Sequence, residues 1–370
     1  MAEYGPERSV MEEAASIAGA RIAAEDHRPE SAFRGMETAF ARAAHNAGGC
    51  REMVIDPAGV RIRIRCPEEK LLARIGATLE HLETASGVAV DFTICCWDAK
   101  TNGGEPALPG PRMLAQADYG CLTRLTNHRF RTFYAAWAGI FCCVDLDANT
   151  AYCRYEDGAN LMMYEVSGPL RGVFAAILNR REMHLVHASA IGTPRGTLLF
   201  AGPPGSGKST LAIQCLQAGL FYQSDDLCIL TAEKEPRSLS LYNIAKLRED
   251  ALPRFVPLHP LLAHFQEEEE KKSYFYVHRH FPAQVLREAP VLALVLPTIT
   301  GEPVSRLERA SPMDAVRGVV TWSVKEIPRS DTLGERIMLQ AVSRLPAWRL
   351  HLGRDDESTL AIIRSLLDDR

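Results

Sequence analysis

The chain has 370 residues, 46% of them apolar and 24% charged, which is room for two domains with sizeable cores and excludes disordered and fibrous classes. Its formal net charge of −4 argues against a general nucleic-acid binder. No apolar run approaches the roughly 20 residues of a membrane span, and the opening MAEYGPERSVMEEAAS is acidic and mixed, so a cytoplasmic protein without a membrane partner is expected.

Residues 1–48 read as alanine-rich helix, in SVMEEAASIAGARIAAE and again in GMETAFARAAHNA. REMVIDPAGVRIRIRC predicts a hairpin, with two alternating runs flanking the turn Asp56-Pro57-Ala58-Gly59. PEEKLLARIGATLEHLETA starts with Pro67 and two glutamates and predicts a helix. A strand follows in GVAVDFTICCW, then a Gly- and Pro-rich loop at 99–118, then three strands in FRTFYAAW, GIFCCVDLD and TAYCRYE. These elements make an α+β domain over residues 1–165, suited to substrate docking or oligomer contacts.

SGPLRGVFAAILNRREM predicts a helix capped by Ser167 or Gly168, with Pro169 near its first position. HLVHASAIG and GTLLFAG are short apolar strands, and GLFYQSDDLCIL is the next one. Further on, VLALVLPTI and AWRLHLG read as buried strands and STLAIIRSLLDD as a closing helix. FQEEEEKKS at 265–273 is a charge run, read as a solvated helix end or loop. The ten cysteines show no CxxC or zinc spacing and read as free, mostly buried thiols. Cys95–Cys96 and Cys142–Cys143 lie inside strands, where neighbours point to opposite faces.

Gly202-Pro203-Pro204-Gly205-Ser206-Gly207-Lys208-Ser209 fits G-x-x-x-x-G-K-[ST] in full, between an apolar strand and an amphipathic helix. Such a loop wraps its backbone N–H groups around phosphate at a helix N-terminus. Lys208 then reaches the β- and γ-phosphates and the Ser209 hydroxyl holds Mg²⁺. The nucleotide-binding set expected is Gly202, Gly205, Ser206, Gly207, Lys208, Ser209 and Thr210, with ATP and Mg²⁺ as cofactors. One helix later come Asp225 and Asp226. In a strand their carboxylates diverge, which suits one to the metal and the other to the proton of an attacking hydroxyl. His187, ahead of the loop by one hairpin, is a third candidate. Lys246, Arg248, Lys271, Lys272 and Arg279 are basic residues that could complete the phosphate site, grip an acidic acceptor, or simply face solvent.

At these residues the sequence resembles the HPr kinase/phosphorylase superfamily, whose fold is similar to the nucleotide domain of phosphoenolpyruvate carboxykinase. The family's histidine, phosphate loop and Asp-Asp pair map onto His187, Gly202–Ser209 and Asp225–Asp226, over about residues 185–232. LPAWRLHLGRDDESTLAIIRSLL is similar to the tail of related serine kinases of peptide-modification clusters, including lasso peptide kinases. The resemblance implies an α/β domain with a mixed sheet over 166–370. It also implies catalytic roles for Asp225 as base, His187 and Lys208, with Asp226 beside Ser209 at the metal, and a possible homo-oligomer. The sequence departs from HPr kinases proper at Ser209-Thr210, where Ser-Glu is common. Their glycine-bearing signature is replaced by SLYNIAKLREDALPRF. The reading is a kinase acting on a Ser or Thr hydroxyl of a peptide or protein other than HPr. A P-loop ATPase or nucleotide-gated regulator, a small-molecule hydroxyl kinase, a carboxykinase-type enzyme and a non-catalytic nucleotide module remain open.

Overall fold

The turn at Asp56–Gly59 places Ala58 (φ 59°) and Gly59 (φ 73°) in the left-handed region. It joins β1 (Arg51–Ile55) to β2 (Ile62–Cys66) as the antiparallel hairpin expected, with Arg51 opposite Cys66. The structure, a computed structural model, describes residues 28–106, 108–115, 120–265, 272–329 and 331–368. The helix expected before residue 28, most of the charge run and Lys271 lie outside the described residues.

The hairpin opens a six-stranded mixed sheet with β3 (Phe92–Asp98), β4 (Phe130–Ala135), β5 (Ile140–Asp145) and β6 (Thr150–Tyr155), in the order β1-β2-β3-β6-β5-β4. Helix α1 (Pro29–Asn46) lays Phe33, Met36, Phe40 and Ala43 on one face, against Phe130, Phe141, Trp97 and Tyr152. Both faces of β3 and β5 are covered, so Cys95, Cys96, Cys142 and Cys143 are all buried. All ten cysteines are free. Helix α2 (Glu69–Gly76) is shorter than its periodicity predicts, because glycine at its end weakens the last turn and a 3₁₀ turn, Glu80–Leu82, follows. The 99–118 loop holds two short helices, Ala99–Asn102 and Pro111–Leu114, the first capped by Asp98.

Helix α3 (Arg171–Asn179) starts later than expected. Ser167 ends a separate short helix, Met163–Ser167, and the cap is Leu170 in a left-handed conformation with no side-chain hydrogen bond. The second half then builds a nine-stranded mixed sheet. Its strands are β7 (Met183–Val186), β8 (Ala188–Thr193), β9 (Gly196–Ala201), β10 (Phe221–Ser224), β11 (Cys228–Thr231) and β12 (Arg237–Leu239), followed after a small separate sheet by β16 (Glu288–Ile299), β17 (Arg306–Arg309) and β18 (Ala347–Leu352). The small sheet is β13 (Ile244–Arg248), β14 (Ala263–His264) and β15 (Lys272–Tyr276). Strand β16 carries the architecture: its start pairs antiparallel with β12, its middle parallel with β9 and its end parallel with β18.

Helices α4 (Lys208–Gln217) and α7 (Asp356–Asp368) cover one face of this sheet, burying Leu211, Ile213, Ile363 and Leu366 on Leu198, Phe200 and Val295. Helices α5 (Pro312–Glu326) and α6 (Leu333–Val342) cover the other with Val319, Met338 and Ala341 on Val186, Leu199 and Leu294. The result is a mixed α/β fold. One apolar interior runs from Ile62, Ile94 and Cys142 through Phe174 and Leu178 of α3 to Leu185, Ile229 and Ile244, so the two halves share a core.

Candidate functional site

Two expected strands are each broken at one residue or one turn, and the breaks face each other. HLVHASAIG divides at His187 into β7 and β8, and GLFYQSDDLCIL divides at Asp225–Leu227 into β10 and β11. Cys228 pairs with Val186 on one side of the gap, and Ser224 with Ala190 on the other. Between those pairs the ladder opens, and His187, Ser189, Asp225 and Asp226 come together. Within the gap Leu227 N–H donates to Asp225 O at 3.0 Å around Asp226, whose φ is 77°. This is a γ-turn of the strained kind, which persists only where the surroundings fix it. Ser224 fixes it here, its one hydroxyl proton shared between Leu227 O and Tyr242 O, both within hydrogen-bond reach.

The glycine-rich loop joins β9 to α4 beside this gap. Gly202, Gly205 and Gly207 have φ of 142°, 79° and 100°, conformations that side-chain-bearing residues rarely adopt. Gly207 is the helix cap and offers no side chain, so the first N–H groups of α4, at Lys208, Ser209 and Thr210, keep their capacity for an anion. The Ser206 hydroxyl is buried without a hydrogen-bond partner. Lys208 is buried and donates to Gly202 O and Pro203 O at 2.9 and 3.0 Å. Burial pulls its ammonium below the usual lysine range, opposed by Asp226 and Asp225.

The two aspartates do diverge, through the γ-turn rather than through strand alternation. Asp225 Oδ1 accepts from Ser209 Oγ at 3.0 Å and from Ser189 Oγ at 2.6 Å, while Oδ2 is buried without a partner. Burial, reinforced by Asp226, pushes the Asp225 carboxyl up. Asp226 Oδ2 accepts from Lys246 Nζ at 2.5 Å, and Oδ1 lies 3.5 Å from His187 Nδ1. Burial would raise Asp226, but Lys246 and His187 overcome it and hold the carboxylate well below the usual range. His187 is 5% exposed, and burial pulls its imidazole down to about 4, so it is neutral at pH 7. Its backbone N–H donates to Ser323 Oγ on α5 at 2.8 Å.

Among the expected residues, Lys208, Ser209, Asp225, Asp226, His187 and Lys246 therefore form one contiguous cluster. Ser209 meets Asp225, not Asp226. The Ser209–Asp225 pair, with the unpartnered Oδ2, fits one hard cation completed by phosphate oxygens and water. Asp226, engaged by an ammonium, does not fit that place as well. Among the described residues no group of three or more His, Cys, Asp or Glu side chains forms a closed metal site. Arg248 points to Asp250, and Arg279 binds Glu80 of the first half through two hydrogen bonds at 2.9 and 2.5 Å, so neither completes the loop. Lys272 sits opposite Arg248 in β15.

Three residues of the cluster escape sequence reading. Ser189 is a small hydroxyl in an apolar strand. Glu326 at the end of α5 and Arg171 at the start of α3 are distant in sequence, yet they lie 3.9 Å apart, Arg171 helps hold Asp226 ionised, and Asp226 in turn raises Glu326. Burial raises Glu326, with Asp226 adding to the shift and Arg171 opposing it. A pattern of one Ser and one Glu three residues apart on α5, Ser323 and Glu326, is the only local signal.

No protein-family model matches the chain, and no curated protein matches it. Among solved structures, the Hpr(Ser) kinase/phosphatase from Coxiella burnetii is similar at 12% identity and a TM-score of 0.26, over 49% of this chain and 94% of that one. A likeness of that degree leaves the function to be argued from the site.

Proposed function

We propose that the protein is an ATP- and Mg²⁺-dependent kinase that moves the γ-phosphoryl group to a Ser or Thr hydroxyl of a peptide or protein. The observation that carries this reading is the division of two adjacent carboxylates between two neighbourhoods. Asp225 is bound to Ser209 at the junction of loop and helix, whereas Asp226 is held anionic among Lys246 and His187. A nucleotide-hydrolysing switch needs the first carboxylate. The second is what an acceptor hydroxyl requires.

The β- and γ-phosphates would lie on the amides of residues 205–210, with Lys208 exchanging its loop carbonyls for phosphate oxygens. Mg²⁺, held by Ser209 and Asp225, would supply charge neutralisation between the β- and γ-phosphates. The acceptor hydroxyl would donate its hydrogen bond to Asp226. As its oxygen bonds to the γ-phosphorus, the bond to the β-phosphate oxygen breaks, ADP leaves with that electron pair, and the acceptor proton passes to Asp226. Lys246, 2.5 Å from Asp226, keeps that carboxylate ionised and so a hydrogen-bond acceptor, which takes the proton only as the hydroxyl oxygen bonds to phosphorus. These assignments exchange the roles that the family resemblance implies for Asp225 and Asp226, because Ser209 contacts Asp225.

The test is incubation with γ-labelled ATP, Mg²⁺ and a clarified cell extract, beside Lys208→Ala and Asp226→Asn. A labelled peptide or protein formed by the wild type and by neither variant supports the kinase. Free phosphate without any labelled acceptor moves the reading to an ATPase.

A further inference from the structure

A cavity of about 510 Å³ adjoins the Asp226 side of the cluster, within the roughly 300–1,000 Å³ typical of ligand sites. Its walls come from both halves of the chain. Phe133 of β4, Ile140 and Cys142 of β5, and Leu170 and Val173 at the start of α3 make them apolar. Arg171 and Glu326, 3.9 Å apart, line it too, Arg171 helping to hold Asp226 ionised and Asp226 raising Glu326. The order in space is therefore the glycine-rich loop, Ser209 bonded to Asp225, Asp226 beside His187, whose backbone N–H meets Ser323 of α5, then one turn further along α5 Glu326 with Arg171 3.9 Å away, both on the cavity wall. The phosphoryl donor belongs at the first end of that series and the acceptor at the last.

The cavity is ill-suited to a nucleotide. Neither of its cations is offered to a phosphate: Arg171 lies 3.9 Å from Glu326, and the Lys325 ammonium sits 4.4 Å over the Trp322 ring. Burial pushes Glu165 toward its neutral form, which makes the wall more apolar still. Two aromatic side chains at the lip, Trp137 at 57% exposure and Tyr164 at 38%, face solvent. Large exposed aromatics beside an apolar cavity are a normal feature of recognition sites and an unusual one elsewhere. An open lip also lets a side chain enter while the backbone that carries it stays outside.

We infer that this cavity receives a bulky apolar side chain flanking the acceptor hydroxyl, so that the acceptor is a peptide with an aromatic or branched aliphatic residue beside its phosphorylated Ser or Thr. The inference rests on the kinase reading and specifies the substrate class of the same site.

The experiment uses the full chain, γ-labelled ATP and a panel of short peptides carrying one serine flanked by Gly, Glu, Lys, Leu or Phe. Wild type should phosphorylate the Leu and Phe peptides at least tenfold faster than the Gly peptide. Ala135→Phe, which fills the cavity from β4, should erase that preference, and Trp137→Ala, a change at an exposed position, should reduce it. Equal rates on all flanks, or a preference that survives Ala135→Phe in folded protein, overturns the inference while leaving the kinase standing. Should no peptide accept phosphate, ligand-observed NMR with N-acetyl-phenylalanyl-serine amide decides the cavity separately. Contact of its ring with the wild type, lost in Ala135→Phe, keeps the apolar site and removes the peptide-kinase reading. No contact with the wild type overturns the inference.

Discussion

Ser209 Oγ donates to Asp225 Oδ1 across 3.0 Å, and the neighbouring Asp226 turns away to Lys246. Two residues joined by one peptide bond thus sit in different electrostatic settings, one carboxyl raised by burial and the other held ionised. Their asparagine variants should fail differently. Asp225→Asn is expected to weaken Mg²⁺-dependent ATP binding at least tenfold, seen by calorimetry with and without the metal. Asp226→Asn should bind MgATP nearly as the wild type does yet lose roughly 10²–10⁴ in transfer rate, the usual worth of a positioned base. Intact transfer in Asp226→Asn together with a dead Asp225→Asn that still binds MgATP would restore Asp225 as the base.

Lys246 is 8% exposed and Asp226 is its partner at 2.5 Å. Removing one charge leaves the other poorly solvated, so Asp226→Asn or Lys246→Met alone should cost roughly 3 kcal/mol in stability. The double variant should recover part of that loss and none of the activity, because an uncharged pair leaves no lone buried ion and cannot take up the proton. Urea unfolding of the four proteins measures this. Additive losses would show that the two side chains do not act as a pair.

How far the sequence shows this site depends on which physical rule is local. The glycine-rich loop is legible because its glycines, lysine and serine are contiguous and their job is set by backbone chirality and helix-end electrostatics. Asp225 and Asp226 stand out by adjacency, although the strand expected to carry them breaks. A left-handed aspartate leaves no mark in a period-two pattern. The order of their roles is invisible, since it depends on Ser209 and Lys246 arriving from a helix and from a separate small sheet. Arg279 illustrates the opposite error: a basic residue near other basic residues in sequence, it reaches Glu80 of the first half instead of the loop. Arg171 and Glu326 are ordinary helix-end residues until tertiary packing sets them 3.9 Å apart, within electrostatic reach of Asp226.

Three histidines are pulled down from an ordinary value of 6.5, each chiefly by burial: His81 to about 3, and His184 and His187 to about 4. In the unfolded chain they take up protons near pH 6.5, whereas the folded chain resists protonation until about pH 4. Between those values the unfolded state binds more protons, so stability falls as pH falls across that window. Each of the well-buried pair, His184 and His187, contributes roughly 3 kcal/mol that is present above pH 6.5 and lost toward pH 4. Denaturant midpoints at pH 7.5, 6, 5 and 4.5 should decline steeply. His187→Gln should flatten the slope by about one proton, and an unchanged slope in that variant would show that His187 is not buried in its neutral form.

Gly207 and Gly219 bracket α4 and share the left-handed conformation, with φ of 100° and 88°. They differ in surroundings. A Cβ on Gly207 would come within 2.8 Å of Leu352 Cδ1, while one on Gly219 would meet nothing within 4 Å. Alanine at either position should cost about 1–2 kcal/mol for the left-handed backbone alone. At Gly207 the cap must also shift, because strain and contact act together where the amides of Lys208, Ser209 and Thr210 are aimed. Gly207→Ala should therefore lose MgATP affinity by more than tenfold, whereas Gly219→Ala, at the far end of the same helix, should bind as the wild type does despite its own loss of stability from backbone strain. Calorimetry with MgATP beside thermal unfolding separates the two effects. Equal affinity in both variants would mean that the amides at the start of α4 do not hold the phosphates.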